Sequence, residues 1–167
     1  MLDSAKPRRA VKPLRMNGEH TAGQQGTHMQ YWLMKSEPDV YDWGRLVREK
    51  RGHWDGVRNA TAANNLRAMK RGDRAFFYHS NIGKEIVGTM EIVREAYPDP
   101  TDKDKTGRWV MVDVVPLAPA RTPVTLAQIK ADKRFADLAL VKFSRLSVQP
   151  VSPEHWRLLC EMAGIDP

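Results

Sequence analysis

Hydrophobic and polar positions follow a regular pattern along the 167-residue chain from Gln30 onwards. "QYWLMKSE" has the pattern of a strand, and "DVYDWGRLVREKRG" has the pattern of a helix that Asp39 or Asp42 caps and Gly52 ends. A turn, "HWDGV", follows. The next segment, "NATAANNLRAMKRG", predicts a second helix with Asn59 as its N-cap, because its apolar residues recur every three positions.

The middle of the chain predicts three strands, "DRAFFYHS", "EIVGTMEIVREAYP" and "RWVMVDVVPLAPA". Residues 81–84 predict a hairpin between the first two, and a loop at 98–107 joins the second to the third. "TLAQIKADKRFADLAL" predicts short helices, "KFSRLSVQPV" a final strand, and "SPEHWRLLCEMAG" a closing helix that Ser152 caps and Pro153 begins. Strands grouped as hairpins, with helices in the connections, indicate an α+β fold, and five or six such strands could curl into a small barrel.

Residues 1–29 lack this periodicity and combine Pro, Gly, Gln and basic residues, which is typical of a flexible basic tail. They could equally be a tag or follow from a mis-assigned start. The tail has five basic and two acidic residues, so it carries +3 of the net charge of +7. Residues 30–167 are therefore predicted to be one mildly basic domain, which favours acidic partners such as nucleic acid without establishing them.

The sequence contains none of the common nucleotide-binding, hydrolase or metalloprotease motifs. One cysteine, Cys160, lies in an apolar-periodic run, which excludes an internal disulfide and predicts a buried, inert thiol in a reducing compartment. Five scattered histidines give no metal-ligand spacing. No apolar run approaches the roughly 20 residues that cross a bilayer. We therefore expect no cofactor, no metal and no membrane partner, a cytoplasmic location (nuclear in a eukaryote), and a monomer in preference to an oligomer.

Aromatic and polar residues gather near the predicted strand ends. Trp54 lies on a polar turn, where an indole either caps the core or forms one wall of a pocket. In "AFFYHSN", strand alternation puts Phe76 and Tyr78 on one face and Phe77 and His79 on the other. One face is expected in the core. The other ends in polar groups suited to a small ligand, although a hydrogen-bonded core histidine is the alternative for His79.

Two further strand ends carry polar side chains. The first strand ends in Lys35 and Ser36, and a solvated strand end is the simplest interpretation. In the predicted last strand, alternation places Ser144, Leu146 and Val148 on one face. It places Arg145, Ser147 and Gln149 on the other face. A polar face of this kind is unusual on a buried strand unless it faces a cavity.

Four segments, "YWLMKSEPDVYDW", "WDGVRNATAANNLRAMKRGDRAFFYHSN", "IVGTMEIVREAYPDPT" and "LVKFSRLSVQPVSPEHW", closely resemble the EVE domain, from about Tyr31 to Ala163. EVE domains belong to the PUA-like group, which implies a bent β-barrel of about five or six mostly antiparallel strands with flanking helices. The resemblance also implies a nucleic-acid-binding module without enzyme activity. It would recognise a modified base in DNA or RNA, such as methylated or hydroxymethylated cytosine.

The related YTH domain, which binds N6-methyladenosine in RNA through an aromatic cage, has a similar layout. That similarity implies that Trp54 is a cage wall with polar residues around it, while basic residues steer phosphate to the pocket. The implied ligand-binding residues are Lys35, Ser36, Trp54, Arg58, Asn59, Tyr78, His79, Ser80, Ser144 and Arg145. Arg58 and Arg145 could instead be structural partners of Glu37 or Asp55.

Two alternatives remain open from the sequence. PUA-like relatives of the ASCH type are amidohydrolases that act on acylated cytidine with a lysine, a hydroxyl residue and a glutamate, and Lys35, Ser36 and Glu37 supply those types. Adjacent strand residues point to opposite faces, however, which makes this trio hard to assemble. The third possibility is a structural or partner-binding domain whose cavity is unused.

Overall fold

The computed structural model describes residues 28–167, so most of the predicted N-terminal tail lies outside the described residues. The described residues contain six strands, five α-helices and one 3-10 helix. In chain order these are β1 (Tyr31–Ser36), α1 (Trp43–Glu49), β2 (Gly52–His53), α2 (Ala60–Ala68), β3 (Arg74–His79), β4 (Glu85–Pro98), β5 (Val110–Thr125), α3 (Leu126–Ala131), the 3-10 helix (Lys133–Phe135), α4 (Ala139–Lys142), β6 (Val148–Val151) and α5 (Pro153–Ala163).

All six strands belong to one mixed sheet with the order β2-β5-β4-β3-β1-β6. The β1–β3 pair is parallel, and the other neighbouring pairs are antiparallel. Register shifts within the β3–β4 and β4–β5 pairs bend the sheet, as β-bulges do. The α+β class and the expectation of about five or six mostly antiparallel strands are confirmed, and the sheet has six.

The bent sheet does not close into the expected barrel. Its edges, β2 and β6, are two and four residues long and do not pair with each other. Helix α2 packs against both β5 and β6. The helix therefore lies against the β6 edge and against β5, the strand next to the β2 edge.

Strand β3 lies inside the sheet and is covered on both faces. Phe77 belongs to a core that includes residues of α1 and α2, whereas Phe76 and Tyr78 belong to a core that includes residues of α3 to α5. The alternation predicted for "AFFYHSN" is therefore confirmed, and each face of β3 supports its own apolar core.

Helix caps follow the sequence closely. The side chains of Asp42, Asn59 and Ser152 each accept a hydrogen bond from a first-turn backbone N–H of α1, α2 and α5, respectively. Helix α2 ends at Ala68, earlier than the predicted end at Gly72. These local signals work because the capping side chain and the backbone that it caps are only three residues apart.

The predicted last strand is shorter than its sequence pattern suggests. Strand β6 begins at Val148, and residues 143–147 form a turn before it. Ser144 and Arg145 therefore do not alternate on a strand face. Lys35 explains the difference, because its ammonium group donates to the Ser144 carbonyl and its backbone N–H to the Ser147 carbonyl, both at 2.8 Å.

We predict that Gly88→Ala reduces the free energy of unfolding by about 1–3 kcal/mol, because overpacking displaces a rigid ring. A Cβ at Gly88 would lie 2.6 Å from the Trp43 indole. Gly44→Ala is the control, because its Cβ would lie 3.3 Å from the flexible Arg48 guanidinium and alanine favours a helix. Urea denaturation measures both variants, and an equal loss for the two would contradict the prediction.

Candidate functional site

A cavity of about 680 Å³ lies between the end of β1, helix α1 and the segment from β2 to α2. This volume is within the usual range of small-molecule sites, about 300–1,000 Å³. We call it the Trp54 cavity. Its lining residues are Lys35, Ser36, Val40, Tyr41, Arg45, Glu49, His53, Trp54, Asp55, Gly56, Val57, Arg58, Asn59 and Ser147.

Trp54 is both a core residue and a wall of this cavity. Its side chain is 7% exposed and packs edge-to-face on Phe77, with ring centroids 5.3 Å apart. A second edge contact joins it to Tyr41 at 6.3 Å. Its backbone N–H donates to the Val112 carbonyl on β5 at 2.8 Å. The sequence left open whether this indole caps the core or forms a pocket wall. It does both, because it packs on one core and presents a narrow part of its surface to the cavity.

A buried carboxylate, Asp113 on β5, supports the chain immediately before Trp54. It accepts hydrogen bonds from Arg51 and from His53 Nδ1, both at 2.8 Å, and from the Tyr97 hydroxyl. Burial alone would raise the pKa of Asp113, but the hydrogen bonds from His53, Tyr97 and Arg51 outweigh it and hold the pKa below 3.8. The ionised carboxylate can only accept, so His53 carries its proton on Nδ1 and its Nε2 is left for a ligand.

A second buried carboxylate, Asp99, supports the chain after Trp54. It accepts from the Gly56 backbone N–H at 2.8 Å, from Arg58 at 3.0 Å and from the Thr101 hydroxyl at 2.6 Å. Burial would raise the pKa of Asp99, yet the hydrogen bonds from Thr101, Gly56 and Arg58 lower it below the ordinary value. Arg58 also lies over the Trp109 ring, 5.7 Å from its centroid. Arg58 therefore braces the Trp54 turn, and its structural partner is Asp99 rather than Glu37 or Asp55.

Two polar residues of the lining, Asn59 and Ser36, each use one group to bind the protein backbone and keep another group for a ligand. The Asn59 carbonyl oxygen caps α2 by accepting from the Ala62 N–H at 2.9 Å, which directs the amide NH₂ away from the helix. The Ser36 hydroxyl donates to the Tyr41 carbonyl at 2.6 Å, so its oxygen remains an acceptor. The site thus offers an amide donor and a hydroxyl acceptor, in addition to His53 Nε2.

The model of the EVE domain family matches residues 30–162. The chain belongs to the EVE domain family. Thymocyte nuclear protein 1 of Mus musculus is 35% identical to it over an alignment of 169 positions, which covers 82% of this chain and 75% of that protein. The resemblance inferred from the four sequence segments is confirmed.

Solved structures share the fold of this EVE domain. A Rhodopseudomonas palustris protein is 56% identical, with a TM-score of 0.76, and the match covers 81% of this chain and 94% of that one. Human THYN1 protein, solved in complex with 5-methylcytosine containing DNA, is 34% identical with a TM-score of 0.75, covering 83% of this chain and 99% of that one. The YTH domain of Zygosaccharomyces rouxii MRB1 protein is 15% identical with a TM-score of 0.51, covers 84% of this chain and 88% of that one, and shows a shared fold alone.

The structure brings half of the sequence-predicted site residues together. The residues that line the Trp54 cavity are Lys35, Ser36, Trp54, Arg58 and Asn59. The residues that do not are Tyr78, His79, Ser80, Ser144 and Arg145. This division follows the chain, because the first group flanks β2 and the end of β1, whereas the second lies in β3, its hairpin and the turn before β6.

The end of β3 is occupied by other contacts. Tyr78 is buried in the core beneath α3 to α5. His79 Nε2 accepts from the backbone N–H of Trp43, 3.1 Å away, at the start of α1, and burial lowers the pKa of His79, so the neutral ring acts as a helix cap. The Ser80 backbone N–H donates to the Ser36 carbonyl. The alternative of a hydrogen-bonded core histidine therefore describes His79.

Ser144 and Arg145 line a second cavity of about 470 Å³. Its seven lining residues are Asn59, Thr61, Lys142, Phe143, Ser144, Arg145 and Leu146. Asn59 lines both cavities, and the turn 143–147 contributes Ser144 to one and Ser147 to the other. The two cavities therefore adjoin across Asn59 and this turn.

Sequence reasoning missed Tyr41 and His53, which both line the Trp54 cavity. Tyr41 was assigned to α1, but that helix begins at Trp43 and leaves Tyr41 in the preceding turn. Burial, followed by the nearby Glu49 carboxylate, raises the pKa of Tyr41 to about 12, so its hydroxyl stays protonated. His53 is fixed by Asp113, 60 residues away, and no local sequence signal connects the two.

Among residues 28–167, no group of three or more His, Cys, Asp or Glu side chains is placed to hold a metal ion. None of the helices in that range is long and apolar enough to cross a membrane. Cys160 is buried, as the apolar pattern predicts, and burial raises the pKa of its thiol to about 12.

Asp113→Ala is expected to reduce the free energy of unfolding by about 1–3 kcal/mol near neutral pH, since it removes the hydrogen bonds that Arg51, His53 and Tyr97 donate to a buried, charged carboxylate. The pKa of Asp113 is lower in the folded state than in the unfolded state. Its contribution to the free energy of unfolding is therefore fully present above the unfolded-state pKa and is lost as the pH falls through the folded-state pKa. The difference in free energy of unfolding between Asp113→Ala and wild type should therefore shrink as the pH drops below 3.8. Urea denaturation at several pH values measures it, with Asp39→Ala, an exposed carboxylate, as control. A difference independent of pH would contradict this assignment.

Proposed function

We propose that this EVE domain binds nucleic acid that carries a modified base, such as methylated or hydroxymethylated cytosine, and holds that base in the Trp54 cavity. The observation that carries the proposal is the complex of human THYN1 protein with 5-methylcytosine containing DNA, because the solved chain in that complex shares 34% identity with this chain and the match covers 99% of it. The aromatic wall and polar rim of the cavity supply the chemistry that such a base needs.

The apolar side of the cavity suits a pyrimidine with a small substituent. A base that leaves its stack costs a few kcal/mol, and full stacking on an aromatic face returns roughly 1–3 kcal/mol, of which a narrow ring surface supplies a part. Trp54 presents a narrow surface, held in place by Phe77 and Tyr41. Val40 and Val57 add aliphatic surface to the lining. Burying one methyl group there favours binding by about 0.8 kcal/mol, which is roughly a fourfold preference over the unmodified base.

The polar side of the cavity suits the hydrogen-bonding edge of a base. Cytosine has both donors and acceptors on its Watson–Crick edge, and the lining offers both kinds of partner. The Asn59 amide is a donor, the Ser36 oxygen is an acceptor, and His53 Nε2 is an acceptor while the ring is neutral. Arg45 also lines the cavity, where it forms an ion pair with Glu49 at 2.9 Å; both side chains are partly exposed, and such a surface pair yields to the phosphate backbone.

The proposed activity is binding without a chemical step. The trio considered for an amidohydrolase is engaged elsewhere, because Lys35 donates to the Ser144 carbonyl, Ser36 donates to the Tyr41 carbonyl, and Glu37 accepts from the Asn81 side chain. This arrangement gives the hydrolase alternative no support. A compartment that contains nucleic acid fits the proposal, and the mouse relative is named as a nuclear protein.

Asn59→Asp tests the cavity without removing the cap of α2, because aspartate keeps the acceptor that the helix needs and replaces the amide donor by an acceptor. We expect affinity for an oligonucleotide with one 5-methylcytosine to fall about tenfold or more, since the mismatched pair places two acceptors together. Fluorescence anisotropy measures the affinity, and thermal unfolding checks the fold.

Asn64→Asp is the matched control. It makes the same change of charge on the same helix, but Asn64 lines neither cavity and its oxygen acceptor for Arg67 is retained. Its affinity should stay near that of wild type. If wild type bound cytosine, 5-methylcytosine and 5-hydroxymethylcytosine equally in both DNA and RNA, the proposal would fail and an unused cavity would be the better interpretation.

A further inference from the structure

We propose that the second cavity is a subsite for the nucleotide next to the modified base, with its base stacked on Phe143 and its phosphate near Lys142 and Arg145. This inference rests on the proposed function of the Trp54 cavity and extends it from a single base to a short single-stranded segment. We call the second cavity the Phe143 subsite.

Phe143 is an aromatic ring displayed to solvent. Its side chain is 59% exposed, whereas the other phenylalanines, Phe76, Phe77 and Phe135, are fully buried. An exposed ring beside an open cavity is a stacking platform for any base, because every base has a π-face. Stacking of this kind tolerates different sequences, which suits the neighbour of a modified base.

The turn that carries Phe143 is held by hydrogen bonds to its backbone. The buried Gln149 side chain donates to the Leu146 carbonyl at 2.8 Å and to the Phe143 carbonyl at 3.4 Å. Lys35 holds the carbonyls of Ser144 and Ser147, and the Phe143 N–H donates to the Ala139 carbonyl at 2.7 Å. The platform is therefore formed before a ligand arrives, which reduces the entropy lost on binding.

The charge around the Phe143 subsite complements a phosphate. Its lining includes Lys142 and Arg145 and no carboxylate. Lys142 pairs with Asp137 at 3.1 Å, but both side chains are largely exposed, and such a surface pair is worth little and yields to a phosphate. A nucleotide, which combines an apolar ring with a negative charge, matches this combination better than an apolar peptide does.

The position of the subsite also favours a neighbouring nucleotide. Asn59 lines both cavities, so a ligand that extends out of the Trp54 cavity past Asn59 enters the Phe143 subsite directly. Thr61, on the first turn of α2, adds a hydroxyl on the same side. This explains why Ser144 and Arg145 lie close to the site without lining the Trp54 cavity.

The test uses the full chain and a five-nucleotide single strand with a central 5-methylcytosine, measured by fluorescence anisotropy. Phe143→Ala should weaken binding about 5- to 100-fold, because it removes one stacked base. Phe143→Trp should retain wild-type affinity. Ile82→Ala is the matched control, since Ile82 is an apolar residue of similar exposure (58%) that lines neither cavity, and it should bind like wild type.

Ligand changes identify the stacked base. Two further strands each lack one base, on the 5′ or the 3′ side of the 5-methylcytosine, and keep their phosphates. With one of them, wild type and Phe143→Ala should bind alike, because the ring has lost its partner. The subsite would be rejected if Phe143→Ala bound the intact strand with wild-type affinity. It would also be rejected if Phe143→Ala bound both abasic strands more weakly than wild type by the same factor as the intact strand.

The failure of the subsite is distinguishable from the failure of the proposed function. The subsite alone fails when Phe143→Ala binds normally while wild type still prefers 5-methylcytosine and Asn59→Asp loses affinity. The proposed function fails, and the subsite with it, when wild type shows no preference for the modified strand and Asn59→Asp has no effect.

Discussion

Two buried carboxylates hold the chain on either side of Trp54, and the cavity depends on them. Asp113 fixes the residues before the indole through Arg51 and His53, and Asp99 fixes the turn after it through Gly56 and Arg58. A buried carboxylate without donors is strongly destabilising, so both must keep these contacts as long as the protein is folded. The backbone on both sides of Trp54 is therefore fixed, with the indole packed on the apolar core and a narrow part of its surface left at the cavity.

The indole itself is stabilised from behind by an aromatic cluster. Phe77, on a strand covered on both faces, contacts Trp54 and Trp43 edge-to-face and stacks on Tyr41. Close-packed rings of this kind change position only at the expense of their neighbours. A ligand consequently meets a wall that needs no rearrangement, and the polar groups of Asn59 and Ser36 are oriented by their own backbone contacts. Recognition of a small substituent depends on such rigidity, since one methyl group contributes less than 1 kcal/mol or so.

The same chain segments that build the cavity also explain the limits of the sequence prediction. Trp54 and Asn59 were found because a tryptophan in a polar turn and an N-cap residue are local signals. His79 and Tyr78 belonged to an equally suggestive polar strand end, but α1 covers the histidine and the second core covers the tyrosine. His53 gave no signal, because its orientation depends on Asp113, which lies on a distant strand. The open sheet likewise gave no local signal, because it depends on which distant strands pair with each other.

The resemblance of four sequence segments gave the family. By itself the sequence determined the order of the main elements other than β2, the caps of α1, α2 and α5, and the two faces of β3. These features depend on interactions over a few residues or on the alternation of side chains, which a single chain displays directly. Only the tertiary structure decided which polar residues share a cavity, that Arg58 pairs with Asp99, and that Ser144 and Arg145 share a second cavity with Asn59. The physical reason is that such contacts join residues about 40 to 110 positions apart, and their partners are set by how the sheet bends and how the helices pack on it.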